Sequence, residues 1–240
     1  MIYVTGDTHR DFSRIIQFCK EHNTTQDDIM VVLGDNGINY YGNVIDDWFK
    51  QSLSQLPITL FLIKGNHDLR PEKLPQYQST TFCGGQAYVE SEFPNLIFAK
   101  DGEVYDLNGK SALVIGGAYS IDKDYRLVNG LRWFPDEQPT PQIKASVECL
   151  VTHRKHFDFI LTHTCPLSFV LNNAIVDCLY SDSDTSTEEW MDWVREQITY
   201  GRWYCGHWHR DKDCGNVRFM YYDMEPLHRK DEQHDSDRKL

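Results

Sequence analysis

Five short clusters along the sequence carry residue types that can do chemistry: Asp7 with His9, Asp35, the run Asn66-His67-Asp68, His163, and His207 with His209. Between them they offer carboxylate and amide oxygens and imidazole nitrogens, and no thiolate. That donor set suits Mn²⁺, Fe or Zn²⁺ better than Ca²⁺, which takes oxygen alone, or a structural zinc held by four cysteines. The seven residues Asp7, His9, Asp35, Asn66, His163, His207 and His209 are too many for one tetrahedral ion and about right for two. Two divalent ions about 3.5–4 Å apart can clamp the attacking and leaving oxygens of a phosphoryl displacement. Cations that close need a shared carboxylate to offset their repulsion, and Asp35 is the candidate because its strand should be central. His67 is then left outside the ligand set, with the proton affinity to serve a leaving alkoxide near neutral pH. Asp68 stands at the same turn and is counted with His67 as catalytic.

Singly, each cluster has an ordinary explanation. A Gly-Asp after a strand is usually a turn, a His-x-His pair at a strand end is often incidental, and His163 before Pro166 says little by itself. Their common placement is the signal, because each lies just after an apolar run. In open α/β sheets, ligands bind outside the carboxyl ends of the strands, so strands sharing one sheet edge would gather these side chains on one rim.

Positioning them falls to a recurrent pattern. Residues 2–5 read as a short strand. Phe12, Ile15, Ile16 and Cys19 follow at helical spacing, with Asp11 as N-cap. The run Ile29 to Leu33 is continuous and apolar, as in a strand buried on both faces. A second helix runs through Ile45, Phe49, Leu53 and Leu56 and stops at Pro57, and the strand Thr59 to Ile63 delivers Gly65 for a tight turn. This is β-α-β-α-β, with parallel strands and right-handed crossovers. From residue 82 short β-forming runs alternate with turn residues, and Asn108-Gly109 predicts a hairpin. Thr140-Pro141 opens a helix, Phe157 to Leu161 is a buried strand, and residues 181–187 are a polar loop. Ser186-x-x-Glu189 predicts a capping box, Arg202 to Cys205 a strand, and Val217 to Tyr222 a strand that closes the sheet. The chain from His228 is polar and charged, so residues 1–227 read as one domain and 228–240 as a disordered tail.

Composition narrows the classes. The chain has 240 residues, enough for one α/β domain, and 40% apolar content, enough for its core. No basic-then-apolar leader opens it, and no apolar run approaches the roughly 18 residues of a membrane span. The seven cysteines are scattered and never spaced Cys-x-x-Cys, which suits reduced thiols and a cytoplasmic location. A formal net charge of −12 argues against a stable nucleic-acid complex.

Taken jointly, Asp7-x-His9, Gly34-Asp35, Gly65-Asn66-His67-Asp68, His163 and Gly206-His207-x-His209 resemble the five-block signature of the calcineurin-like metallophosphoesterase superfamily, across residues 5–209. The resemblance implies an αββα four-layer sandwich with a dinuclear metal site, Mn first and Fe, Zn or Ni as alternatives. It implies that Asp7, His9 and His209 hold one ion, that Asn66, His163 and His207 hold the other, and that Asp35 bridges them. It also implies that a metal-bound hydroxide attacks phosphorus while His67 protonates the leaving oxygen or steadies the transition state.

Departures from the protein Ser/Thr phosphatase pattern narrow the expectation. Arg10 stands where the first block has Gly, Ile38 where the second has the Asp that orients the catalytic His, and Asp68 where the third has Glu. The Gly206-His207-Trp208-His209 ending is closer to bacterial and phage phosphoesterases. The expected substrate is therefore a small-molecule or nucleotide phosphoester, with protein phosphatase, nuclease and non-catalytic scaffold as the alternatives. Residues 119–138 read as an irregular loop facing substrate, in which Arg126 or Arg132 holds phosphate oxygens and Trp133 packs on the organic group.

Overall fold

In the computed structural model, which describes residues 1–172 and 183–228, the apolar runs become short strands with charged loops at their carboxyl ends. The first half is β1 (Ile2–Thr5), α1 (Ser13–His22), β2 (Ile29–Val32), α2 (Val44–Leu53) and β3 (Thr59–Leu62). Then come β4 (Gln78–Phe82), β5 (Gly85–Val89), β6 (Leu96–Ala99), β7 (Val104–Asp106) and β8 (Ser111–Ile115). The second half is α3 (Lys123–Val128), α4 (Pro141–His153), β9 (His156–Thr162), α5 (Leu167–Asn172), α6 (Ser186–Gln197) and β10 (Thr199–Cys205), and the described chain closes with β11 (Lys212–Cys214), β12 (Val217–Phe219) and β13 (Met224–Pro226).

These strands form two sheets, ordered β13-β1-β2-β3-β6-β5-β4 and β11-β12-β10-β9-β8-β7. The pairs β1–β2, β2–β3, β8–β9 and β9–β10 are parallel, as the crossover reading predicts. Alternate residues of each strand point to opposite faces, and here both faces are covered. Val4, Val31, Phe61, Val114 and Leu161 pack in the layer between the sheets. Met30, Val32 and Leu60 face Ile15 and Leu53 of the helices on the first sheet, while Ile115, Ile160 and Trp203 face Val147 and Val194 on the second. Helix, sheet, sheet, helix is the predicted four-layer order. Each fully buried side chain of this size contributes about 1.5–3 kcal/mol, so the continuous apolar runs fix the layers.

Several local expectations shift. The clusters of candidate ligands come from two facing sheets and not from one sheet edge, since β1, β2 and β3 belong to the first sheet and β9 and β10 to the second. Asp11 does accept the Ser13 N–H at 3.0 Å, but the helix begins at Ser13. Helix α2 is capped by Asn43 and ends at Leu53, before Pro57 is reached. Residues 119–139 are not wholly irregular, since α3 lies within them. At α6 the predicted Ser186–Glu189 box is replaced by Asp184, which accepts from Ser186 N, and by a Thr185–Glu189 side-chain bond. The Asn108-Gly109 hairpin forms, with φ of 58° and 76° as a type I′ turn requires. The final strand has no counterpart in the sequence reading: β13 returns to the first sheet and pairs antiparallel with β1. His228 is tied to the Tyr204 hydroxyl, whereas the rest of the expected tail, 229–240, and residues 181–182 of the expected loop lie outside the described residues. No helix among the described residues is long and apolar enough to cross a membrane.

Candidate metal centre

The ligand turns approach one another too closely for ordinary residues. A Cβ on Gly34 would lie 2.1 Å from His163 Nδ1, and one on Gly65 would lie 2.0 Å from the Asp35 backbone nitrogen. The glycines preceding Asp35 and Asn66 therefore exist to let loops from different strands meet. The turns are also strained: His9, Arg10, Asp35, His207 and His209 all have φ between 44° and 68°. Non-glycine residues seldom occupy this region, and they gather at functional sites.

Within this cage the donors form two groups. In one, His209 Nε2 lies 3.2 Å and His9 Nε2 3.7 Å from Asp7 Oδ2, and the two nitrogens are 2.9 Å apart. In the other, His163 Nε2 lies 3.6 Å from Asp35 Oδ1 and 2.7 Å from Asn66 Oδ1. Asp7 completes a group with Asp35 and His163, and so has a place on both sides. Asp35 also reaches both sides, because its Oδ2 lies 4.0 Å from His9 Nδ1. The ring of His207 sits 5.0 Å from that of His163 and lines the same cleft, while its backbone N–H donates to Asp7 Oδ1 at 2.9 Å.

The donors fit a divalent cation. Asp7 Oδ2 is buried, and it faces the imidazole nitrogens of His209 and His9 at 3.2 and 3.7 Å. Two imidazole nitrogens 2.9 Å apart can share one proton at most. His163 directs Nδ1 to the Leu33 carbonyl at 2.8 Å, so the tautomer with its proton on Nδ1 turns the Nε2 lone pair toward the Asn66 oxygen. In these contacts lone pairs outnumber the protons available to them, an arrangement that suits a cation.

The electrostatics agree. Burial works to raise Asp35 and Asp7. Around Asp35 the imidazoles of His163, His67 and His9 outweigh it, and at Asp7 the His209 hydrogen bond and His163 do so, leaving both carboxyls low. Burial drives His207 down to about 3, keeping its ring neutral. His209 moves up because it donates to Asp7. Burial also lowers His67, against the pull of Asp35.

His67 lies beside these groups and is a member of neither. Its Nε2 is 3.1 Å from Arg126 Nη2, and 3.9 Å from both Asp35 Oδ2 and Asp122 Oδ1. Asp68 does not share that position. Its buried carboxylate accepts from Gly65 N, Asn36 Nδ2 and Gly37 N at 2.8–3.0 Å, tying the two ligand turns together. It is a positioning residue, and burial with the nearby Asp35 charge raises it to about 6.

Two clefts open from the centre, of about 310 and 190 Å³, and share His9, Asp35 and His67. Ile121, Asp122 and Trp208 wall the first, and Arg10, Tyr40 and Arg126 the second. Of the three residues expected to face substrate, Arg126 lines the second cleft. Arg132 turns away to the Tyr41 carbonyl, and Trp133 lies under Lys123 with its indole N–H on Glu137. Arg10 was legible only as a departure from a motif. The Asp122–Arg126 pair was legible as charges four apart on a helix, and its 2.7 Å bond sets the guanidinium over His67. Tyr40 was legible as part of Asn39-Tyr40-Tyr41 following Asp35, and nothing local marked Ile121.

A family model described as calcineurin-like phosphoesterase matches residues 1–211. The chain belongs to that family. Its members are metal-dependent hydrolases of phosphoester bonds, so the donor groups above are the residues this chain offers to the family's divalent ions. A solved crystal structure overlays on this calcineurin-like phosphoesterase with TM-score 0.53 at 13% identity, covering 91% of this chain and 88% of that one, which supports the fold. The crystal structure of TT1561 of Thermus thermophilus overlays with TM-score 0.48 at 12% identity, covering 92% and 87%. No curated protein matches the chain.

Proposed function

We propose that this phosphoesterase is binuclear and hydrolyses the phosphomono- or phosphodiester bonds of a small molecule or nucleotide. The observation that carries the reading is the convergence of imidazoles from both sheets on the buried carboxylates of Asp7 and Asp35. Asp7, His9 and His209 would hold one ion, Asn66, His163 and His207 the other, and Asp35 both. When bound, the ions supply Lewis-acid activation of the phosphoryl group and of the attacking water. Mn²⁺ leads the candidates on donor chemistry.

The chain's own residues do the rest. A phosphoryl oxygen in this cleft accepts from Arg126 Nη2 in place of the His67 Nε2 lone pair that this donor now meets, with Arg126 held in place by Asp122 and the Arg132 carbonyl. His67 Nε2 is the atom from which a proton reaches the leaving oxygen. The acid beside His67 is Asp122, from the loop before α3, and the buried Ile38 holds the position where a protein phosphatase has its acid. This favours a small phosphoester over a phosphoprotein. Trp208 and Ile121 give the larger cleft an apolar wall for the organic group. The cytoplasmic reading is supported by six described cysteines that are all free thiols. The test is a panel of phosphomonoesters, diesters and nucleotides offered to protein stripped by chelator and reloaded with Mn²⁺. Hydrolysis should vanish on stripping and return on loading. Full activity in the stripped protein would refute the reading.

A further inference from the structure

Behind Asn66 lies a buried chain of hydrogen bonds with a fixed direction. Trp133 Nε1 donates to Glu137 Oε2 at 2.7 Å, and the Ser120 backbone N–H donates to Oε1 at 3.2 Å. Ser120 Oγ lies 2.5 Å from Glu137 Oε2 and 2.9 Å from Asn66 Nδ2. Asn66, Ser120 and Glu137 are 1–3% exposed, so no bulk water substitutes for these bonds.

The direction follows from counting protons. Indole and backbone N–H groups can only donate, so both Glu137 oxygens act as acceptors. The Ser120 hydroxyl has one proton, and the short contact to the carboxylate takes it. Only lone pairs of Ser120 Oγ remain for Asn66, so the amide must present its nitrogen there and turn its oxygen the other way. That oxygen then meets His163 Nε2 at 2.7 Å, where both atoms are acceptors in the tautomer that donates Nδ1–H to the Leu33 carbonyl. Left to itself the amide would flip, because its N–H₂ would then donate to the His163 lone pair. The flipped amide would present no oxygen to an ion.

We infer that Glu137, acting through Ser120, is a positioning residue that holds Asn66 in its metal-ligating orientation. The inference rests on the metal reading proposed above. Glu137 and Ser120 touch neither ion nor substrate. Their effect falls on one half of the centre, where partners behind a ligand typically tune affinity about 10–100-fold.

The test is calorimetric titration of Mn²⁺ into the full-length, chelator-stripped protein, with apo-protein melting as a check on folding. The parent should take up two ions. Ser120→Ala, which removes only a hydroxyl, and Glu137→Gln, whose amide cannot accept from all three donors, should each bind one ion as the parent does and the other about 10–100-fold more weakly. Trp133→Phe removes one donor to Glu137 and leaves the Ser120–Glu137 bond, so its loss should be smaller. Parental affinity for both ions in Ser120→Ala and Glu137→Gln would overturn the relay and leave the metal centre standing. Equal loss of both ions with a lowered apo melting temperature would also overturn it, as a general structural role. A parent that binds no Mn²⁺ would overturn the metal reading and the relay together.

Discussion

The two donor groups of the proposed metal centre are built differently. The His163 side chain is wholly buried, its Nδ1 is fixed by the Leu33 carbonyl, and Asn66 beside it is fixed by Ser120. His9 and His209 are 37% and 47% exposed, and His209 stacks on Tyr221 at 4.5 Å while its Nε2 reaches Asp7. One half is arranged before an ion arrives, whereas the other is a pair of rings at the mouth of a cleft. Preorganised ligands lose less freedom on binding. The buried half should therefore hold its ion longer, and the exposed half should exchange with solvent.

The largest effect should come from removing what the halves share. Asp35→Asn keeps the shape and removes a charge that faces His163 with one oxygen and His9 with the other, so both ions and nearly all turnover should go. Elemental analysis and initial rates read this directly, and retention of two ions at near-normal rate would refute the shared role. Next comes the comparison itself. Chelator should remove Mn²⁺ in two phases, the faster abolished in His209→Ala and the slower in His163→Ala. A single phase in the parent would mean that the halves are energetically one site.

His67→Gln should retain both ions and lower kcat by roughly 10²–10⁴-fold for poor leaving groups, with little change for p-nitrophenolate, which leaves without a proton. A uniform loss across leaving groups would reassign His67 to electrostatic stabilisation. The smallest effect contrasts two arginines of one loop. Arg126→Ala should raise KM about 10–100-fold, as expected for a charge-assisted hydrogen bond of about 1.5–3 kcal/mol. Arg132→Ala should be indistinguishable from the parent in the same steady-state assay, since its guanidinium is spent on Tyr41.

The layers and the clustering of the candidate ligands were readable because their causes are local in sequence. A strand buried on both faces has to be an uninterrupted apolar run, and a ligand turn has to follow it with Gly34-Asp35 or Gly65-Asn66. What escaped depends on contacts between distant segments. Nothing near Met224 says that β13 will cross back to β1. Trp133 and Arg132 have the right chemistry for substrate, but Lys123 and Tyr41 claim them first. Asp68 is adjacent to His67 in sequence, yet its carboxylate faces Gly65, Asn36 and Gly37, contacts that adjacency does not reveal. Glu137 gave no signal because its partner Ser120 lies seventeen residues away across a loop.

The left-handed backbone at His9, Asp35, His207 and His209 has a consequence for how this protein tolerates change. Each such residue is less stable there than glycine would be, by an amount on the order of 1 kcal/mol. The positions that carry the chemistry are thus the ones where the fold, considered alone, would prefer a residue with no side chain. Selection for thermal stability without selection for turnover would erode the centre from these turns outward and leave the four layers intact.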